Sequence, residues 1–273
     1  MKSVSLLIED FRQREEAALS CITLAGTGPD GAIQVQILHE LGDDYLHSVR
    51  DIDVISGGAF SFFIHVANQR RQFNVENFRW YERYVKERHR LPLYRKLSHL
   101  ATMKLSKKSL YPNTHIRDTF LHLFDQDFGA LRLADLDYPV TFHSYDLKTA
   151  SVITLNRQTC PDMALIDVAR ACVSVPPIHG YFDYQGMRLV DPIFSPAFAS
   201  LRKSLFKRSN NLLFVNHKKT QKTSKVCFLA HSSTRYPDVR LFKDFALLYL
   251  GIPNRRITKS NLALLEKGII NGL

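Results

Sequence analysis

A serine followed at once by two glycines lies where an apolar strand-like run meets an apolar helix-like run. The segment extends from Ile52 to Phe60, with Ser56, Gly57 and Gly58 at its centre. A sharp strand-to-helix turn lifts a serine hydroxyl clear of a sheet, and small residues are needed beside it because the backbone is crowded. The amide groups at the start of the helix face any negative charge that develops nearby. This pattern is typical of a nucleophile, and a plain tight turn is the alternative.

A second glycine cluster lies between a buried-strand pattern at residues 20–25 and a helix pattern at residues 32–41. Its sequence is Gly26-Thr27-Gly28-Pro29-Asp30-Gly31. Such a loop at a helix N-terminus binds anions, as in dinucleotide sites, P-loops and oxyanion holes. The Gly-Lys-Ser/Thr ending of a P-loop is absent. A dinucleotide site needs an acidic residue at the tip of the next strand. That tip is residues 54–57 here, which include Ser56 but no acid. The position therefore favours an oxyanion hole that serves the serine.

An aspartate near residue 190 supplies a candidate base. Residues 181–192 predict a hairpin that turns at Gln185 and Gly186, and Asp191 falls where its second strand ends. An aspartate beside a buried serine can accept the hydroxyl proton directly. Considered alone, Asp191 also fits an ordinary aspartate in a turn.

The three segments together resemble the patatin-like phospholipases, a family of serine acyl hydrolases. Members carry a glycine-rich loop G-G-G-x-R/K-G, an elbow G-x-S-x-G and a late D-G-G/A, in that order. The corresponding segments here are residues 26–31, 54–58 and 191–193, and the resemblance spans about residues 20 to 200. It implies an α/β fold with a mostly parallel central sheet flanked by helices. It also implies a Ser–Asp dyad that needs no histidine, no metal and no cofactor.

The resemblance gives each site residue a role. Ser56 would attack an acyl carbonyl, Asp191 would take its proton, and Gly58 would belong to the nucleophile elbow. The amide groups expected to form the oxyanion hole are those of Gly26, Thr27, Gly28, Gly31 and Gly57. The expected function is hydrolysis of acyl esters of lipids or phospholipids through an acyl-enzyme, as in a phospholipase A or a lysophospholipase. The alternatives are an acyltransferase or thioesterase acting on thioester-bound acyl chains, and a catalytically inactive membrane-binding module.

Three positions depart from the family pattern, and they keep the inactive alternative open. Asp30 stands where Arg or Lys is usual, and Val54 replaces the first glycine of the elbow. Pro192 replaces the glycine after the aspartate and removes an N–H group there. Because the implied dyad needs no histidine, we expect His65, His143 and His179 to be structural residues or surface groups.

The remaining pattern alternates strands and helices, which indicates a mostly parallel sheet with its active site at the carboxyl ends of the strands. We expect paired strands at residues 140–145 and 151–155, a helix over 161–172 and strands at 212–216 and 226–230. Two closing helices are predicted at residues 241–250 and 261–270.

Length and composition predict a single domain over residues 1–273, with a helical insertion at about residues 69–137. The chain has 273 residues, of which 45% are apolar. Its four cysteines show no C-x-x-C pairing, so we expect reduced thiols and no metal site. The sequence has no apolar run of 18 residues and no signal-peptide core. We therefore expect a cytoplasmic protein, with peripheral contact to a membrane as an option.

Positive charge is concentrated in two segments of the chain. Residues 69–117 contain 13 Lys and Arg against three acids, a net charge of +10, and residues 201–225 contain eight Lys and Arg and no acid. Because the whole chain carries +11, the remainder is net negative. The basic segment 69–117 also carries aromatic residues, which suits an anionic membrane surface or an acidic acyl carrier protein. No nucleic-acid-binding motif accompanies the charge, so nucleic acid is not an expected partner.

Overall fold

The computed structural model describes residues 21–24, 32–70, 94–95, 97–98, 101, 109, 111, 113–175, 179–194, 198, 201, 204–205 and 211–214. The strands are β1 (Cys21–Leu24), β2 (Asp51–Ile55), β3 (Val140–Asp146), β4 (Ser151–Leu155), β5 (Phe182–Tyr184), β6 (Met187–Val190) and β7 (Asn211–Phe214). The helices are α1 (Ala32–Leu41), α2 (Asp43–Ser48), α3 (Gly58–Gln69), α4 (Thr114–Leu123), α5 (Gln126–Ala130) and α6 (Leu165–Val173). Short 3-10 turns cover Leu133–Asp135 and Pro192–Phe194.

The seven strands of the described residues form one mixed sheet of parallel and antiparallel strands, which confirms the predicted α/β class. β1 pairs in parallel with β2 and with β7, and β2 pairs in parallel with β3. β4 and β6 each pair with β3 in antiparallel fashion, and β5 extends the sheet beyond β6. The parallel half holds the predicted nucleophile, and the antiparallel half holds the predicted base.

β2 and β6 both pair with the same edge of β3, and this arrangement brings the ends of the two strands together. Phe142 pairs with both β2 and β4, so those two strands lie on opposite edges of β3. Tyr145 pairs with both β4 and β6, so β6 lies on the same edge as β2. Because β2 runs parallel to β3 and β6 runs antiparallel to it, the carboxyl ends of β2 and β6 approach each other along that edge.

An aromatic cluster joins the elbow helix to the sheet. Phe62 and Phe63 of α3 are fully buried and pack against Phe142 of β3, with ring centroids 5.8 and 5.2 Å away. Phe63 also contacts Phe120 of α4 at 5.6 Å. In α4 the buried positions are 116, 120 and 123, which is the spacing of one helix face. Burying such rings stabilises the fold by roughly 2 to 3 kcal/mol each, so α3 is held firmly against β3.

The local structure agrees with the sequence pattern in the hairpin and differs from it at the start of α6. The hairpin turns where expected, with positive φ at Gln185 (44°) and Gly186 (82°), as the twist of a two-residue turn requires. The helix predicted over 161–172 begins later, at Leu165. Residues 161–162 form a turn instead, and Ala164 makes a β-bridge to Arg132.

Other predictions fall wholly or partly outside the described residues. The strand expected at 212–216 is described as Asn211–Phe214, and its last two residues are not covered. The strand predicted at 226–230 and the two closing helices lie outside the described residues, as does most of the basic segment 69–117. Cys21, Cys160 and Cys172 carry free thiols, and Cys227 is also outside.

Gly58 permits a close backbone contact between α3 and β1, so we predict that Gly58→Ala destabilises the protein. A Cβ atom at Gly58 would lie 2.5 Å from the carbonyl oxygen of Leu24, a clash that backbone movement alone can relieve. The expected loss is about 1 to 3 kcal/mol in the free energy of unfolding, measured with urea. Gly129→Ala in α5 is the matched control, because its nearest neighbour would be a ring carbon of Phe120 at 3.4 Å. Equal stabilities for the two variants would contradict this account.

Candidate active site

The turn after β2 places Ser56 at a tight corner. β2 ends at Ile55, α3 begins at Gly58, and the Ala59 amide donates to the Ser56 carbonyl at 3.0 Å. Ser56 has φ of 54°, a left-handed conformation that is uncommon for a residue with a side chain. Such strain persists only where the surroundings enforce it, and it is concentrated at functional sites. The corner therefore has the character of a nucleophile elbow.

The Ser56 hydroxyl donates a short hydrogen bond to Asp191, which lies 135 residues later in the chain. The distance from Ser56 Oγ to Asp191 Oδ2 is 2.5 Å. Asp191 is fully buried, whereas Ser56 keeps 9% of its surface exposed. The second carboxylate oxygen, Oδ1, accepts the Ile193 amide at 3.0 Å. The carboxylate is thus fixed by two donors, and only the serine retains contact with the surface.

The shared edge of β3 explains why these two residues meet. Ile55 is paired with His143 and Val190 with Tyr145, so the next residue of each strand falls opposite Ser144. Ser144 is fully buried, and its hydroxyl lies 3.0 Å from the Val190 carbonyl oxygen and 2.8 Å from that of Ala171 in α6.

The peptide group between Val190 and Asp191 is held at both of its polar atoms. Its carbonyl accepts from Ser144, and its N–H donates to the Ser174 carbonyl at 2.8 Å. These two bonds orient the backbone from which the Asp191 side chain extends toward Ser56. Neither Ser144 nor Ser174 belongs to a recognisable motif, and the strand register alone reveals Ser144, so sequence patterns identify neither residue.

Burial raises the pKa of Asp191 to about 7, because the ionised carboxylate loses its hydration inside the protein. The hydrogen bonds from Ser56 and from the Ile193 amide act in the opposite direction and lower that pKa. The Cys172 thiol, also fully buried, has its pKa raised by burial and by the nearby Asp191 charge. A carboxylate with a pKa near neutrality is a far better proton acceptor than a solvated one and is suited to general-base chemistry.

The other predicted site residues divide into two groups. Gly57 precedes α3 as its N-cap residue and Gly58 is the first residue of that helix, so both lie beside Ser56 as the elbow requires. The first amide groups of a helix lack acceptors within it and so remain able to donate to an anion. Gly26, Thr27, Gly28 and Gly31 lie outside the described residues, as does Asp30. Their role in an oxyanion hole stays a prediction.

Two of the departures from the family pattern are accommodated locally. Val54 is a fully buried strand residue, paired in register with Leu24 and Phe142, so its side chain packs in the core below the corner. Pro192 has no N–H group, but the amide of Ile193 supplies the donor to Asp191. The hydrogen bond between Ser56 and Asp191 forms with both substitutions in place.

His65, His143 and His179 each interact with another side chain. His65 is buried, and its Nε2 lies 3.4 Å from Asp43 Oδ1. His143 Nε2 lies 2.8 Å from Asp53 Oδ1, on the sheet face opposite Ser144. His179 stacks on His115 with ring centroids 6.0 Å apart.

The described part of the chain contains no cluster of three or more His, Cys, Asp or Glu side chains that could hold a metal ion. Among its helices, none combines the length and the apolar character needed to cross a bilayer.

A comparison with protein-family models matches residues 22–192 to the patatin-like phospholipases. The chain belongs to this family. The matched region begins in β1, ends just after Asp191 and contains the entire turn around Ser56. Membership of the patatin-like family supports a lipid hydrolase activity. A comparison with curated proteins gave no match.

The raised pKa of Asp191 predicts how stability of this patatin-like domain changes with pH. Since the folded carboxyl titrates near 7 and an unperturbed one near 3.8, the folded state holds this proton more tightly. The contribution is fully present below pH 4 and is lost as the pH rises through about 7. Between pH 5 and pH 8 we expect Asp191 to lower the free energy of unfolding by about 3 kcal/mol.

Asp191→Asn should remove most of this pH dependence, as measured by urea unfolding at the two pH values. Asp137→Asn is the control, because that side chain is 89% exposed, and it should behave as the unmodified protein does. If the free energy of unfolding of Asp191→Asn changes with pH as much as that of the unmodified protein, the pH dependence comes from another group.

Proposed function

We propose that this protein is a serine acyl hydrolase that cleaves acyl esters of phospholipids with a Ser56–Asp191 dyad. The observation that carries the proposal is the 2.5 Å hydrogen bond from a strained serine, which keeps 9% of its surface exposed, to a fully buried aspartate. Family membership agrees with lipid substrates. Within the lipid hydrolases, the enzyme class that we propose is a phospholipase A or a lysophospholipase.

The acylation step follows from the arrangement of the two side chains. Ser56 Oγ attacks the ester carbonyl carbon while its proton passes to Asp191 Oδ2, and the carbonyl oxygen becomes an oxyanion. The amide groups at the start of α3 and in the loop at residues 26–31 would donate to that oxyanion. Collapse of the tetrahedral intermediate expels the alcohol, which takes the proton back from Asp191. An acyl group is then bound to Ser56 through an ester.

Deacylation repeats these steps with water as the nucleophile. Asp191, ionised again, accepts a proton from the water as it attacks the acyl-enzyme, and later returns that proton to Ser56 Oγ. A fatty acid leaves and the free enzyme is restored. If a lipid alcohol replaces water, the same chemistry transfers the acyl chain, and if the donor is a thioester, the leaving group is a thiol. The acyltransferase and thioesterase alternatives therefore share this dyad.

A fluorophosphonate, which reacts covalently with activated serines, tests the dyad. We predict that the unmodified protein is labelled and that Ser56→Ala abolishes labelling. Asp191→Asn should slow labelling about 10²- to 10⁴-fold, because the general base is lost. The matched control is Ser61→Ala, which removes another buried serine hydroxyl from the elbow helix and should retain labelling. A well-folded protein that resists the probe would favour the inactive alternative.

The substrate class can be resolved by comparing two acyl donors. We expect fatty acid release from phosphatidylglycerol vesicles to exceed thiol release from palmitoyl-coenzyme A, measured at equal acyl concentration. Ser56→Ala should abolish whichever reaction occurs. Faster turnover of the thioester would replace the phospholipase proposal with the thioesterase or acyltransferase alternative.

We further propose that the protein acts as a peripheral protein at an anionic membrane surface, through the basic segment 69–117. Each Lys or Arg near such a surface contributes about 1 kcal/mol, and salt screens the attraction. Changing Lys104, Lys107 and Lys108 together to Glu should weaken co-sedimentation with phosphatidylglycerol vesicles by at least about 100-fold at low salt. Vesicle binding that survives this change would contradict the membrane proposal. If the triple variant still binds vesicles but loses binding to an acidic acyl carrier protein, the carrier is favoured as the partner.

A further inference from the structure

Asn113 stands at the N-cap position of α4, yet its side chain does not cap that helix. Asparagine is among the preferred N-cap residues because its side-chain oxygen accepts a free amide of the first turn. Here the side chain is directed toward α6 instead. Its Nδ2 group donates to Ser174 Oγ at 2.5 Å, and its Oδ1 accepts from Arg170 Nε at 2.8 Å. The capping interaction is given up for two contacts with another element.

Ser174 connects these contacts to the catalytic aspartate. It is fully buried at the C-terminal end of α6, where its hydroxyl donates to the Arg170 carbonyl at 2.5 Å. Its own carbonyl accepts the Asp191 amide at 2.8 Å. The side chain of Ser174 is therefore bound by Asn113 and Arg170, while its backbone holds Asp191. A continuous chain of hydrogen bonds runs from Asn113 through Ser174 to the peptide that carries the base.

Arg170, which donates to Asn113, also contacts Asp167 and the hairpin residue Phe182. Its guanidinium group donates to Asp167 at 3.0 Å and lies over the Phe182 ring, 4.2 Å from the ring centroid. Phe182 belongs to β5, which pairs with β6 directly before Asp191. Asn113 thus links α4 to α6 directly, and to the hairpin through Arg170. Water has poor access to the polar groups of such a partly buried network. Removing one member therefore leaves the others without a hydrogen-bond partner.

We propose that Asn113 is a positioning residue for the dyad, which sets the backbone of Asp191 through Ser174. This inference rests on the proposed function, since it concerns the geometry of the same Ser–Asp pair. Asn113 touches neither substrate nor reacting atoms in this scheme. It keeps Ser174 from moving, and Ser174 keeps the Asp191 carboxylate within reach of the serine hydroxyl.

The test uses Asn113→Ala, Ser174→Ala and the double variant, each in the full chain. Two quantities are measured: the maximal rate of fluorophosphonate labelling at Ser56, kinact, and the hydrogen-exchange rate of the Asp191 amide by NMR. We expect each single variant to lower kinact about 3- to 10-fold with KI unchanged, because one orienting hydrogen bond is lost. The exchange rate of the Asp191 amide should rise by a similar factor. The double variant should resemble either single variant, because both act on one chain of contacts.

Asp125→Ala is the matched control. Asp125 caps the neighbouring helix α5 by accepting the Phe128 amide at 2.6 Å, so its loss should lower Tm without changing kinact or Asp191 exchange. An Asn113→Ala variant that lowers Tm as this control does, with kinact and Asp191 exchange unchanged, would overturn the inference. Additive losses in the double variant would also overturn it.

The two proposals can fail separately. A wild-type protein that the probe does not label would contradict the proposed function. The exchange measurement would then still show whether Asn113 holds the Asp191 peptide, because it does not depend on turnover. Labelling that requires Ser56 but is insensitive to Asn113 would leave the proposed function intact and remove this inference alone.

Discussion

The hydrogen bond between Ser56 and Asp191 exists because two strands end against each other on one edge of β3. β2 approaches from one direction and β6 from the other, and the residue after each strand falls opposite Ser144. A shift of one residue in either register would turn the side chain to the other face of the sheet. The aromatic packing of α3 on β3 therefore holds Ser56 in place, and the antiparallel pairing of β6 with β3 holds Asp191.

Burial of Asp191 has two opposed consequences. Exclusion of water raises the pKa of the carboxyl to about 7 and so gives the serine a base of useful strength near neutral pH. The same exclusion makes the ionised state costly, which lowers the stability of the fold when the carboxylate forms. The donors at Ser56 and Ile193 offset part of that cost. Such a balance is common at catalytic sites, where function is maintained at the expense of stability.

The sequence is informative where local chemistry determines the structure. The turn at Gln185 and Gly186 follows from residues that accept positive φ, and the elbow follows from Ser56 between an apolar strand and Gly58. By contrast, α6 begins four residues after the predicted start, because the bridge between Arg132 and Ala164 is a long-range contact. Ser144, Ser174 and Asn113 could not be predicted for the same reason. Each acts through partners that are distant in sequence, and no residue type or spacing marks them.

The departures from the family pattern bear on whether the elbow can work. A glycine at position 54 would be required if that backbone adopted positive φ, but Val54 lies in regular β2 and the positive φ occurs at Ser56. The close approach of backbone to backbone occurs at Gly58, against the carbonyl of Leu24. The need for glycine at this corner is thus met after the serine, where the helix touches the sheet. Because Val54 packs inward and Ile193 supplies the amide that Pro192 lacks, neither substitution disturbs the contact between hydroxyl and carboxylate.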